Sequence, residues 1–200
     1  MTIRMINFKS LKNNIPLPIR LFLGKALLFF IIWKLIYNVF LFDSKYLDQP
    51  LTNHVGNASV QILNSLGTMS GFVAKRENSN YNEGVAEGNV LAIYHNNNRV
   101  LYIANVCNGL ELMVLYIGFI VCMPSALWRK ILYIVIGAVL LDIINILRCV
   151  GLIYLREYFH VYFQFAHHYL FNAIVYTATI LMWMVYARKI QFKNEPIQIG

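Results

Sequence analysis

Residues 131–155 read ILYIVIGAVLLDIINILRCVGLIYL, 25 positions of which only Asp142 and Arg148 are charged. About 20 mostly apolar helical residues cross the roughly 30 Å hydrocarbon core of a bilayer, so the stretch reads as a membrane span. Working outward, three more segments qualify: about 110–127 just before it, about 169–187 after it and about 21–42 near the N-terminus. The span at 110–127 contains Pro124 and is parted from the next only by Trp128-Arg129-Lys130, which predicts a tight helical hairpin. The expected fold class is membrane all-α: one integral membrane domain over residues 1–200 with about four transmembrane helices and an extracytoplasmic insert at about 43–106.

Composition agrees. The chain of 200 residues is 58% hydrophobic and 13% charged, against about 45–50% and about 25% in soluble domains. Disorder is excluded and an ordinary soluble domain fits poorly. Aromatic residues at 14% favour contact with membrane–water interfaces. Three Cys exclude a full disulfide framework. The segment at 21–42 is too long for a signal-peptide h-region, holds Lys25 and Lys34 and lacks a small-residue cleavage site, so it is expected to be retained. Lys25 can snorkel to the near interface. Lys34, near mid-span, either snorkels, faces a polar interior or marks a misplaced helix.

The net charge of +8 is a topology signal. Arg4, Lys9, Lys12, Arg20 and Lys25 stand at the first span, Arg129 and Lys130 in the 128–130 turn, and Arg188, Lys189 and Lys193 after the last. These are ten of the 17 basic residues, with Glu195 as the one acid among them. Basic loops face the cytoplasm, so four spans put both termini on the cytoplasmic side. The basic residues are split among three short segments with no basic helix, so nucleic-acid binding is not expected.

In the insert, Leu51–Phe72 reads as a loop plus an amphipathic helix on Val60, Ile62, Leu63, Leu66 and Met69, and Lys75–Gly88 as a polar loop. Val90–Tyr94 and Val100–Ala104 around His95–Asn98 read as a β-hairpin that leads to Cys107. With this topology Cys107, Arg148 and His167-His168 come from three helices to one depth on the outer side. Glu111 lies one turn below Cys107, expected on the same side, and Asn145 one turn below Arg148. A thiolate is the nucleophile and a nearby cation or His lowers its pKa. His can carry the proton, and Arg can stabilise an oxyanion. Acyl transfer through a thioester is the matching chemistry.

Taken singly, each residue has a blander reading. Arg148 pairs structurally with Glu111 or Asp142, His167 and His168 sit at headgroup level, Asp142 makes a structural polar contact, and Cys122 and Cys149 pack. His160 reads as interfacial, and His54 and His95 lie in loops without visible partners. No CxxC or HxxxH spacing supports a metal site, and no cofactor is expected. Asn57-Ala58-Ser59 matches a glycosylation sequon, a pattern short enough to arise by chance.

Ala104-Asn105-Val106-Cys107-Asn108-Gly109-Leu110-Glu111 resembles the Cys motif of the exosortase/archaeosortase family, Asn145-Ile146-Leu147-Arg148 its Asn-x-x-Arg motif and His167-His168 its His motif. The resemblance covers about 104–186 and is to the compact forms of the family. It implies a cysteine transpeptidase of a bacterial or archaeal cytoplasmic membrane that cuts, on the outer side, a C-terminal sorting signal (motif, membrane helix, basic tail) of an exported protein and passes the new carboxyl end to an acceptor. Carried over, Cys107 is the nucleophile, Arg148 the thiolate or oxyanion stabiliser and a His the proton shuttle, with Asn108, Gly109, Glu111 and Asn145 in support. The family pattern often has a small residue four positions after the His. From His168 the face runs through Asn172, Tyr176 and Thr179 and is relatively polar; from His167 it runs through Phe171, Ile174 and Ala178 and is apolar. His168 is preferred on that ground, with His167 as the alternative. The competing class is a non-catalytic membrane assembly or transport subunit.

Overall fold

A computed structural model describes residues 17–41, 46–66, 70–79 and 88–188. Helix α1 (Leu17–Ile36) ends in a π-helical turn at Tyr37–Leu41. Then come α2 (Asp48–Ser65), strands β1 (Phe72–Ser79), β2 (Gly88–His95) and β3 (Asn98–Ile103), and a 3-10 turn at Asn105–Cys107. Helices α3 (Leu110–Cys122), α4 (Leu127–Tyr158) and α5 (His160–Ala187) complete the chain. The N-terminal basic residues Arg4, Lys9 and Lys12, the tail beyond Arg188, Met69 and most of the predicted 75–88 loop lie outside the described residues.

Among the described residues, α4 and α5 are long and apolar enough to cross a membrane. The four-span expectation thus rests on length and composition for two helices. Helix α3 is apolar but has 13 residues, and α1 carries Arg20, Lys25 and Lys34 in any 18-residue window. Helix α4, with 32 residues, is about 48 Å long at 1.5 Å per residue, so it overruns a roughly 30 Å core.

The hairpin before α4 turns earlier than expected. Helix α3 stops at Cys122, Pro124 lies in the connection, and Trp128-Arg129-Lys130 belongs to the first turn of α4. The reason is visible in the bonds these cations make. Arg129 donates to the Tyr186 carbonyl at 2.8 Å and Lys130 to the Val121 carbonyl at 2.8 Å. Both are carbonyls at helix C-terminal ends, where cations are favoured. Tyr116 lies against Gly137, where an added Cβ would come within 2.2 Å of its ring, and its hydroxyl donates to the Tyr133 carbonyl. Tyr116, Ile120, Leu141 and Tyr186 form the core at this end.

At the opposite end, α2 and the sheet sit on the far half of α4. Val55, Leu63, Leu91, Ile93, Ile103, Ile146, Cys149 and Ile153 share one core. The sheet has three antiparallel strands in the order β1-β2-β3, where the sequence showed a two-stranded hairpin. β1 falls on Lys75-Arg76-Glu77, read there as loop. It is an edge strand, and charges protect edges. Arg76 donates to Asn53 Oδ1 and the Gln49 carbonyl, and Tyr94 donates to Glu77. The β2–β3 hairpin is as expected. Asn96 and Asn97 both take positive φ, 50° and 64°, as a two-residue type I′ turn requires. His54 and His95, read as lacking partners, have them: His54 Nε2 lies 3.0 Å from Asp142 Oδ2 and His95 Nδ1 lies 2.8 Å from Glu157 Oε1.

Helix α5 begins at His160 rather than near Tyr169, so His167 and His168 lie inside a helix instead of at its entrance. They occupy a π-helical turn, Ala166–Leu170, closed by a bond from the Phe171 amide to the Ala166 carbonyl. Such single π turns often mark functional positions.

Candidate functional site

Cys107 is the last residue of the 3-10 turn, its amide bonded to the Ala104 carbonyl at 2.9 Å. Asn108 is buried and donates to Asp48 Oδ1 at 3.2 Å, while its own Oδ1 accepts from the Leu110 amide at 2.9 Å. It therefore pins the start of α3 to α2. Gly109 sits at φ +83°, and a Cβ there would lie 3.0 Å from Asn145 Nδ2. Only glycine takes that φ without cost and allows this approach. Asn145 Nδ2 donates to the Cys107 carbonyl at 3.4 Å. Asn108, Gly109 and Asn145 thus hold the Cys107 backbone.

The sharp backbone at 105–109 separates Cys107 from Glu111. The sequence reading put them on one face of one helix, but the 3-10 turn and left-handed Gly109 break that helix. Glu111 pairs with Lys34 of α1, which gives Lys34, expected near mid-span but found in the last turn of α1, a partner, and lines different cavities from Cys107.

Cys107, Arg148 and His167 line one cavity of about 50 Å³, together with Cys149, Phe163 and residues of β3. The structural partners considered for Arg148 are taken: Glu111 by Lys34 and Asp142 by His54. The Arg148 Nε is buried and has no hydrogen-bond partner among the described residues. His167 stacks on Phe163 at 5.7 Å with rings 6° from parallel, and the Arg156 guanidinium lies 5.1 Å from the same Phe163 ring. His168 is exposed and meets His167 edge-on at 5.0 Å. The polar face traced from His168 does face inward lower down. Asn172 and Tyr176 line a second space with Arg148, and Thr179 is buried. The π turn inserts an extra residue, so a face extrapolated across it at 3.6 residues per turn is misaligned.

Sequence reasoning passed over Asp48 and Phe163, while Cys149, read as a packing residue, is buried in the core beneath the sheet. Asp48 is fully buried and accepts from Tyr37 as well as Asn108. Its signal was an acid just beyond an apolar helix, followed by Pro50. Phe163 gave no signal of its own. No group of three or more His, Cys, Asp or Glu able to hold a metal occurs among the described residues.

This is a helical protein with membrane-length helices, a small sheet at one end and a thiol, an imidazole and a guanidinium around one cavity beneath that sheet. The family model described as transmembrane exosortase (Exosortase_EpsH) matches residues 18–185. The chain belongs to the transmembrane exosortase family and is a membrane protein. No curated protein and no solved structure matched it. The family generally comprises cysteine transpeptidases that act at the membrane on exported proteins bearing sorting signals.

Proposed function

We propose that this protein is a membrane cysteine transpeptidase that cleaves the C-terminal sorting signal of an exported protein and transfers the new carboxyl end to an acceptor. The observation that carries this reading is the shared cavity of Cys107, Arg148 and His167. Cys107 Sγ, its proton passed to His167, attacks the scissile carbonyl carbon. Arg148 stabilises the negative oxygen, a task for a permanently charged group in a site with little water. The C–N bond breaks, His167 returns the proton to the leaving amine, and a thioester remains. An acceptor amine or water then attacks that thioester and releases the Cys107 thiol.

In this reading α1 and α3 also cross the bilayer, both termini are cytoplasmic and the cavity faces outside. Helix α3 is short at about 20 Å, but it is flanked by α1, α4 and α5, where irregular backbone at its ends is tolerated. The surplus of basic residues at the Arg129 end supports the orientation. Processing of a tagged exported protein should stop in Cys107→Ala while the variant remains in the membrane. A membrane-impermeant maleimide on intact cells should label Cys107 and spare Cys122. Full processing by Cys107→Ala would remove the reading.

A further inference from the structure

Arg148 borders a second space, a groove of about 320 Å³ on the other side from Cys107. Helix α3 explains its shape. Glu111 and Gly118, seven residues apart on one stripe, meet Lys34 and Phe29 of α1. Phe119 meets Phe22 of α1 edge-on at 5.3 Å and stacks on Trp183 of α5 at 4.5 Å. That aromatic stack closes the wedge between α1 and α5 at the end near Cys122. Towards Gly109 the wedge is open, walled by Phe30 of α1, Leu115 of α3 and Tyr176 of α5, with Asn145, Arg148 and Asn172 at its head.

Resting on the transpeptidase reading, we infer that this groove is the lateral docking site for the transmembrane helix of the sorting signal, admitted from lipid between α1 and α5. Three observations select that occupant. Phe30, Leu115 and Val175 give the walls apolar surface beside the Glu111 carboxylate, and in the transpeptidase reading their helices lie in the bilayer, so what reaches them comes from the lipid. The cavity at Cys107, about 50 Å³, has room for little more than the scissile carbonyl, so the rest of the polypeptide is gripped elsewhere, and Arg148 lines both spaces. At the head, Asn145 Oδ1 and Arg148 Nε are both buried without partners among the described residues. An extended peptide brings one N–H and one C=O per residue, the complements of that acceptor and that donor. Apolar contacts gain little over lipid, so the helix is held by shape along the walls and the chain by hydrogen bonds at the head.

The test uses photocrosslinking in the Cys107→Ala protein. Benzoylphenylalanine is placed at Leu115, Tyr176 or, as control, the lipid-exposed Val139 on α4. The probe is a tagged exported chain from the same genome ending in about 20 apolar residues and a basic tail. Tagged adducts are expected from 115 and 176, at least tenfold above 139. Processing of the probe by the unmodified protein without adducts at 115 and 176, or with equal adducts at 139, overturns the docking inference and leaves the chemistry intact. Adducts without processing remove the transpeptidase reading and leave the docking site. Neither adducts nor processing removes both.

Discussion

On one side of Arg148 lies a cavity of about 50 Å³ bordered by Cys107, Cys149 and His167; on the other lies a groove of about 320 Å³ bordered by Phe30, Leu115 and Tyr176. The first gathers reactive groups in a space with room for little more than one carbonyl. The second has room and partly apolar walls but no nucleophile. The contrast teaches a division of labour in which one guanidinium belongs to both halves. Damage to the cavity should stop chemistry and spare binding, damage to the groove should do the reverse, and damage to Arg148 should do both.

The sharpest way to break this comparison is Cys107→Ala. Loss of the nucleophile should cut processing by about 10⁴-fold or more while crosslinks in the groove persist. Next is Arg148→Gln, which should cost about 10²–10³-fold in rate and also weaken the crosslinks. Arg148→Lys keeps the charge without the planar fork and should recover only part of the loss. His167→Ala should lower the rate by about 10²-fold or more, whereas His168→Ala should stay within about twofold, since removing a group with no part in proton transfer forfeits none of that gain. Equal losses in the two would dissolve the assignment of the proton transfer to His167. On the groove side, Asn172→Ala should raise KM by about tenfold or less with kcat nearly unchanged, the signature of lost uniform binding. The smallest effect on processing should come from Glu157→Gln. It weakens the bond to His95 that ties the sheet to α4, at a cost of about 1–2 kcal/mol, read as a melting temperature lowered by a few degrees.

The fold and the residues of the Cys107 cavity were partly legible in the sequence, and the groove was not. The long apolar run around Asp142 and Arg148 and the Asn96-Asn97 turn are local patterns, and local patterns survive folding. Three features were not local. β1 reads as a polar loop because its Lys75-Arg76-Glu77 run guards an edge, and its partners Asn53 and Tyr94 lie far away in sequence. The turn after α3 slid to Pro124 because Arg129 and Lys130 find carbonyls on other helices. The face carrying His168 extrapolates as if α5 were regular, and the π turn at Ala166–Leu170 adds a residue that the apolar periodicity does not reveal.

That π turn is, in evolutionary terms, one inserted residue. Excising one of the five positions restores a plain α-helix and rotates everything on one side of it by about 100° relative to the other. Phe163 and the residues before it would then swing away from the Asn172–Tyr176 face. Homologues lacking the extra residue should therefore carry their histidine one position off in a gapless alignment, and that offset, more than the histidine itself, would separate the lineages.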